Sequence, residues 1–125
     1  MNLLLDTHVL LWAVDTPERL DDRARDEIRD PRNRVVVSAA SAWEISIKTA
    51  LGKLRFDGDL TAVLKAVGFD PLAIDVEHAL AAGALPPVHR DPFDRMLVAQ
   101  ARAEGLTVVT RDDVFESYDV PTLRA

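Results

Sequence analysis

Four acidic residues, Asp6, Glu44, Asp94 and Asp112, fall where a chain alternating between strands and helices would bring them to one place. Asp6 ends the apolar run Asn2-Leu3-Leu4-Leu5, and Asp112 follows the β-branched run Thr107-Val108-Val109 through Thr110-Arg111. Glu44 lies in the second turn of the helix expected after Val35-Val36-Val37-Ser38, and Asp94 lies in the first turn of a helix of its own. Ligands of open α/β sheets bind outside the carboxyl ends of the strands, which is where these residues would converge. Carboxylates crowded into a cleft raise one another's pKa unless a cation neutralises them. Oxygen donors without cysteine or a histidine pair select Mg²⁺ or Mn²⁺ over zinc.

Each acid also has a purely structural reading. Asp6 can cap the helix that begins near Thr7. Ser41-Ala42-Trp43-Glu44 fits a capping box, and Glu44 with Lys48 makes an i,i+4 ion pair. Asp91 reads as the N-cap of the helix that carries Asp94, and Asp112 fits an ordinary turn. None of these readings accounts for all four acids falling near strand ends on the same side. His8, His78 and His89 show no shared-metal spacing and read as structural or surface residues.

The elements that must position these acids follow from apolar patterning. Residues 2–6 read as a strand and 7–14 as a helix, broken at Asp15-Thr16-Pro17. A charged helix spans 20–30, with Ala24 and Ile28 on its apolar stripe. Residues 35–37 form a second strand, 39–51 a helix stopped by Gly52, and 60–67 a further helix ending at Gly68. The second half repeats the alternation: a strand at 71–74, an Ala-rich helix at 76–85, and a helix from Pro92 to about Ala101 closed by Gly105. A strand at 106–109, a short helix or turn around Phe115 and a last strand near 122–123 complete the chain. Such alternation implies βαβ units and a parallel sheet covered on both faces. Trp12, Trp43, Leu54 and Phe56 read as core or half-buried residues, or as the lining of a groove for a partner helix.

With 125 residues, 48% of them apolar, the chain has material for one core, so a single domain over 1–125 is expected. The absence of cysteine excludes disulfides, thiol catalysis and Cys-based zinc sites. Fifteen basic against twenty-one acidic residues leave a net charge of −6, which argues against a broad nucleic-acid-coating surface but not against a local basic patch. The start MNLLLD has no basic n-region and too short an apolar run for a signal peptide or membrane span, so a cytoplasmic protein is expected.

LLLDTH, VSAASAWEI, HRDPFDRMLVAQA and VVTRDD occur in this order along essentially the whole chain, and in this it resembles PIN-domain proteins, specifically the VapC-type toxins of bacterial type II toxin–antitoxin pairs. The resemblance implies a PIN-like three-layer α/β/α fold with a short central, mainly parallel sheet. It carries the family's acidic quartet onto Asp6, Glu44, Asp94 and Asp112, with Asp6 and Asp94 as primary metal ligands, and its neighbouring polar position onto Thr110. Where many relatives have a second acid two residues after the last, this chain has Val114, and Asp113 is the reserve ligand. The implied activity is Mg²⁺- or Mn²⁺-dependent endoribonuclease, in which metal-activated water hydrolyses the phosphodiester and leaves 5′-phosphate and 3′-hydroxyl ends. A VapB-type antitoxin as inhibitor and a homodimer are further implications. Lys48, His89, Arg90, Arg95 and Arg111 stand near the expected rim as candidate RNA contacts, each with a solvated face or a salt bridge as the alternative. Two other classes remain: a catalytically inactive PIN-fold binding module, and an aspartyl-nucleophile phosphatase. The second would need an acid two residues after Asp6, where this chain has His8.

Overall fold

The computed structural model describes residues 1–125. Five strands, β1 (Asn2–Leu5), β2 (Arg34–Ser38), β3 (Asp70–Leu72), β4 (Thr107–Thr110) and β5 (Thr122–Arg124), form one sheet in the order β3-β2-β1-β4-β5. Every pairing is parallel. The first strand is therefore the central one, with Leu4 opposite Val36 on one side and Val108 on the other. All strand ends that follow the sheet direction emerge along one edge.

Parallel strands need crossover connections, and helices α1 (Thr7–Asp15), α2 (Asp22–Arg29), α3 (Ala39–Ala50), α4 (Leu60–Val67), α5 (Val76–Ala84) and α6 (Pro92–Glu104) supply them. Side chains alternate across a strand, so each strand feeds two cores. Leu3, Leu5, Val35, Val37 and Val109 meet Val9, Leu10, Ala24, Ile45 and Leu64 on one face. Leu4, Val36 and Val108 meet Leu97, Val98, Ala101, Phe115 and Tyr118 on the other. Burial on both faces explains why the strands read as unbroken apolar runs rather than alternating ones.

Differences from the sequence reading lie at element ends. The charged helix starts at Asp22 because Leu20, buried before it, acts as an anchor rather than as a helical residue. The third strand is Asp70–Leu72, shifted from 71–74; it is an edge strand, where Pro71 and its missing N–H are tolerated. Helix α6 runs on to Glu104 and ends at Gly105, whose φ of 66° supplies the left-handed C-terminal turn. The segment around Phe115 is a 3₁₀ turn over Asp113–Tyr118. No helix is long and apolar enough to cross a membrane.

Candidate metal centre

Asp6 stands where the central strand ends and α1 begins, so one carboxylate does two jobs. Its Oδ1 accepts the Val9 backbone N–H at 2.9 Å as the N-cap of α1. Its Oδ2 accepts the Thr110 hydroxyl at 2.5 Å. Thr110 closes β4, the strand beside β1, and its Oγ1 in turn accepts the Asp112 N–H at 3.0 Å. A single hydroxyl thus links the ends of two adjacent strands. Asp112 itself caps the 3₁₀ turn through Val114 N–H at 3.0 Å and remains exposed.

The third acid arrives from a different element. Asp91 caps α6 by accepting the N–H groups of Phe93 and Asp94, at 2.8 and 3.1 Å, with Pro92 as first helical residue. This fixes the first turn and sets the Asp94 side chain beside His89, whose Nε2 lies 2.8 Å from Asp94 Oδ2. Ligand atoms of His89, Asp94 and Asp112 lie within 4.8 Å of one another. Burial pushes the Asp94 carboxyl up to about 6, with the charges of Asp91 and Asp6 adding to the shift and the His89 contact opposing it. Burial also raises Asp6, against the opposing hydrogen bonds from Thr110 and Val9, and the Asp112 charge adds to the rise. Asp6 is therefore within electrostatic reach of both Asp94 and Asp112.

Glu44 is placed differently from the other three. The N-cap of α3 is Ser38, whose Oγ accepts the Ala40 N–H at 3.0 Å, so Ser41 and Glu44 do not form a capping box. Both are buried and face α1 instead. The Thr7 hydroxyl donates to Glu44 Oε1 at 2.6 Å and lies 3.1 Å from Ser41 Oγ. Lys48 donates to Glu44 Oε2 at 2.5 Å, the expected i,i+4 pair, and Glu44 raises the lysine pKa in return. Glu44 is thus anchored to Thr7, the residue after Asp6, and stands outside the His89, Asp94 and Asp112 group.

The basic candidates divide by what already holds them. Arg95 is half-buried, and its guanidinium donates to the carbonyls of Ala82, Leu85 and Pro86 at 3.0, 2.7 and 3.0 Å. It clamps the 82–89 loop rather than projecting toward a phosphate. Arg111 stacks on Trp12, 4.4 Å from the ring centre, and its Nε donates to the Ala125 carbonyl. Arg90 is exposed, and Lys48 is committed to Glu44. The reserve acid Asp113 pairs with Arg124 at 2.9 Å on the surface, although it lines the same hollow as Asp6 and Asp112. This hollow of about 560 Å³ is completed by His8, Trp12 and Arg111.

Two residues stand out beyond the sequence reading. His89 enters there only as a possible RNA contact, and the fold places it against Asp94. Its loop position before the Asp91 cap was the available signal. Tyr118 was not singled out, yet its hydroxyl accepts the His89 N–H at 2.8 Å and donates to the Pro86 carbonyl at 3.0 Å, holding the loop that presents the imidazole. His78 is a core residue in a capping box with Asp75 at the start of α5.

The donor set fits a divalent cation. Carboxylate oxygens suit a hard divalent cation, and burial together with the neighbouring carboxylates disfavours the charged forms of Asp6 and Asp94, which a bound cation would favour.

Comparisons with known proteins agree with the fold. One curated relative, Ribonuclease VapC22 of Mycobacterium tuberculosis, is 31% identical over 127 residues, an alignment covering 95% of this chain and 93% of that protein. VapBC2 from Rickettsia felis, solved bound to a DNA fragment from the promoter, has a chain sharing the fold at a TM-score of 0.73 with 14% identity, covering 99% of this chain and 98% of that one. FitAcB from Neisseria gonorrhoeae does so at 0.62 with 21% identity, covering 97% and 96%. The family model for the PIN domain matches residues 3–121, which take in all six helices and every strand but β5. The chain belongs to the PIN-domain family.

Proposed function

We propose that this protein is a divalent-metal-dependent endoribonuclease and the toxin of a VapBC-type toxin–antitoxin pair. The observation that carries the reading is the convergence of His89, Asp94 and Asp112 beside Asp6 at the carboxyl edge of a parallel sheet. The ribonuclease relative and the VapBC structures that share the fold support it.

Asp94 and Asp112, with His89 and with Asp6 at their side, would hold Mg²⁺ or Mn²⁺. Such an ion, when bound, supplies positive charge to the phosphate oxygens and makes water a stronger acid. The protein's own contribution is positioning. Thr110 and the Val9 N–H hold both Asp6 oxygens in place, and the Asp91 cap orients Asp94. His89 stands where it can share a proton with Asp94 Oδ2. Thr7 and Lys48 hold the two Glu44 oxygens, fixing that side chain against the residue that follows Asp6. A water nucleophile implies 5′-phosphate and 3′-hydroxyl products. The further parts of the proposal are a cytoplasmic location, homodimerisation, and inhibition by a VapB-type antitoxin.

The test is incubation of RNA with the purified protein in Mn²⁺ or Mg²⁺, with product ends identified by phosphatase-dependent ligation. Cleavage that stops on chelation supports the reading, and 2′,3′-cyclic phosphate ends or metal-independent cleavage would overturn it.

A further inference from the structure

Trp43 is 62% exposed, an unusual position for the residue type that carries the largest apolar surface. Its ring is not loose. Phe93, half-buried at the start of α6, meets it edge-on with ring centres 5.5 Å apart and planes at 73°. A T-shaped contact engages one part of the indole and leaves its remaining surface open to a flat partner. The two aromatics come from different helices, and each is the chain neighbour of a site acid: Trp43 precedes Glu44 and Phe93 precedes Asp94. The Trp43–Phe93 contact thus ties the helix that carries Glu44 to the first turn of the helix that carries Asp94.

Resting on the nuclease reading above, we infer that Trp43, braced by Phe93, is a stacking platform for an unpaired nucleobase next to the scissile phosphate. Unpaired RNA is held through base stacking on aromatic faces, which needs neither a basic surface nor a particular base. This suits a chain of net charge −6 whose nearby cations are largely committed, Lys48 to Glu44 and Arg95 to loop carbonyls. Trp43 acts as a positioning residue: it sets which nucleotide lies over Asp94 and does not take part in the bond cleavage.

The experiment compares wild type, Trp43→Ala and Trp43→Phe on an unstructured RNA oligonucleotide, with the association state of each followed by light scattering. Loss of one stacked base predicts a rise in KM of about tenfold for Trp43→Ala, with a much smaller change in kcat and near-wild-type KM for Trp43→Phe. RNA should also quench fluorescence in wild type that is missing in Trp43→Phe, which separates Trp43 from Trp12. Unchanged KM in Trp43→Ala while wild type still cuts RNA would remove the platform and leave the nuclease reading intact. RNA that quenches Trp43 without being cut would do the reverse. A change in association state, with KM equal to wild type once states are matched, would assign Trp43 to a protein contact and overturn the proposal.

Discussion

The Thr110 hydroxyl donates to Asp6 Oδ2 at 2.5 Å across 104 residues of sequence, joining the ends of the central strand β1 and its neighbour β4 at the carboxyl edge of the sheet. Because Thr110 Oγ1 also accepts the Asp112 N–H, removing that hydroxyl disturbs two acids at once. Thr110→Val should weaken Mn²⁺ affinity at pH 7 by about tenfold and cost about 1.5–3 kcal/mol of stability, the range for a hydrogen bond to a charged group. Thr110→Ser should restore most of both. Calorimetric titration and thermal melts check this; a Val variant that binds metal like wild type would separate Thr110 from the site.

Asp94 makes stability depend on pH in an uncommon direction. Its carboxyl titrates at about 6 in the folded protein against an ordinary value of 3.8, so the folded state binds more protons between these values. Stability of the metal-free protein therefore falls as pH rises from about 4 to 6 and levels off above that. With the side chain 22% exposed, we discount the full shift to about 1–3 kcal/mol. Asp94→Asn should raise the melting temperature of the metal-free protein at pH 7 and change it little at pH 4. Mn²⁺ should raise it in wild type at pH 7 and lose that effect as pH drops below about 6. Equal pH profiles for both proteins would contradict the assignment.

Glu44 and Lys48 provide an internal comparison with a surface pair. Glu44 is buried, so Lys48→Met leaves a carboxylate with only Thr7 as partner and should cost about 1–3 kcal/mol. Arg124→Met, which removes the exposed partner of Asp113, should cost less than about 1 kcal/mol. Chemical denaturation of the two variants tests the contrast.

Arg95 separates a structural cation from a substrate contact. Arg95→Met strips donors from the carbonyls of Ala82, Leu85 and Pro86 and should destabilise the protein by about 2–4 kcal/mol while loosening His89. A normal melting temperature with a raised KM for RNA would instead make it a phosphate contact.

The strand and helix order was legible in the sequence because each buried strand carries an unbroken apolar run and each helix has its stop signal, as Gly68 and Gly105 show. The Asp91 cap was legible for the same local reason, and so was the Glu44–Lys48 pair. What depended on tertiary packing was not. Ser41 and Glu44 matched a capping box by spacing, yet the strand runs to Ser38 and hands the cap to that residue, freeing Ser41 and Glu44 to face Thr7. His89 joins Asp94 because Tyr118, distant in sequence, and Arg95, six residues on, hold its loop back over α6. Arg95 read as a free cation because nothing local shows that its partners are main-chain carbonyls ten or so residues away.

Whether the acids at the sheet's carboxyl edge form a metal-dependent RNA-cleaving site is read in one RNA cleavage assay in Mn²⁺ comparing wild type with Asp94→Asn, whose fold is verified by circular dichroism. Wild type should cut RNA and folded Asp94→Asn should lose at least about 100-fold in rate, since the substitution removes a charged ligand whose worth is several kcal/mol. Cleavage by the folded variant at the wild-type rate would contradict such a site.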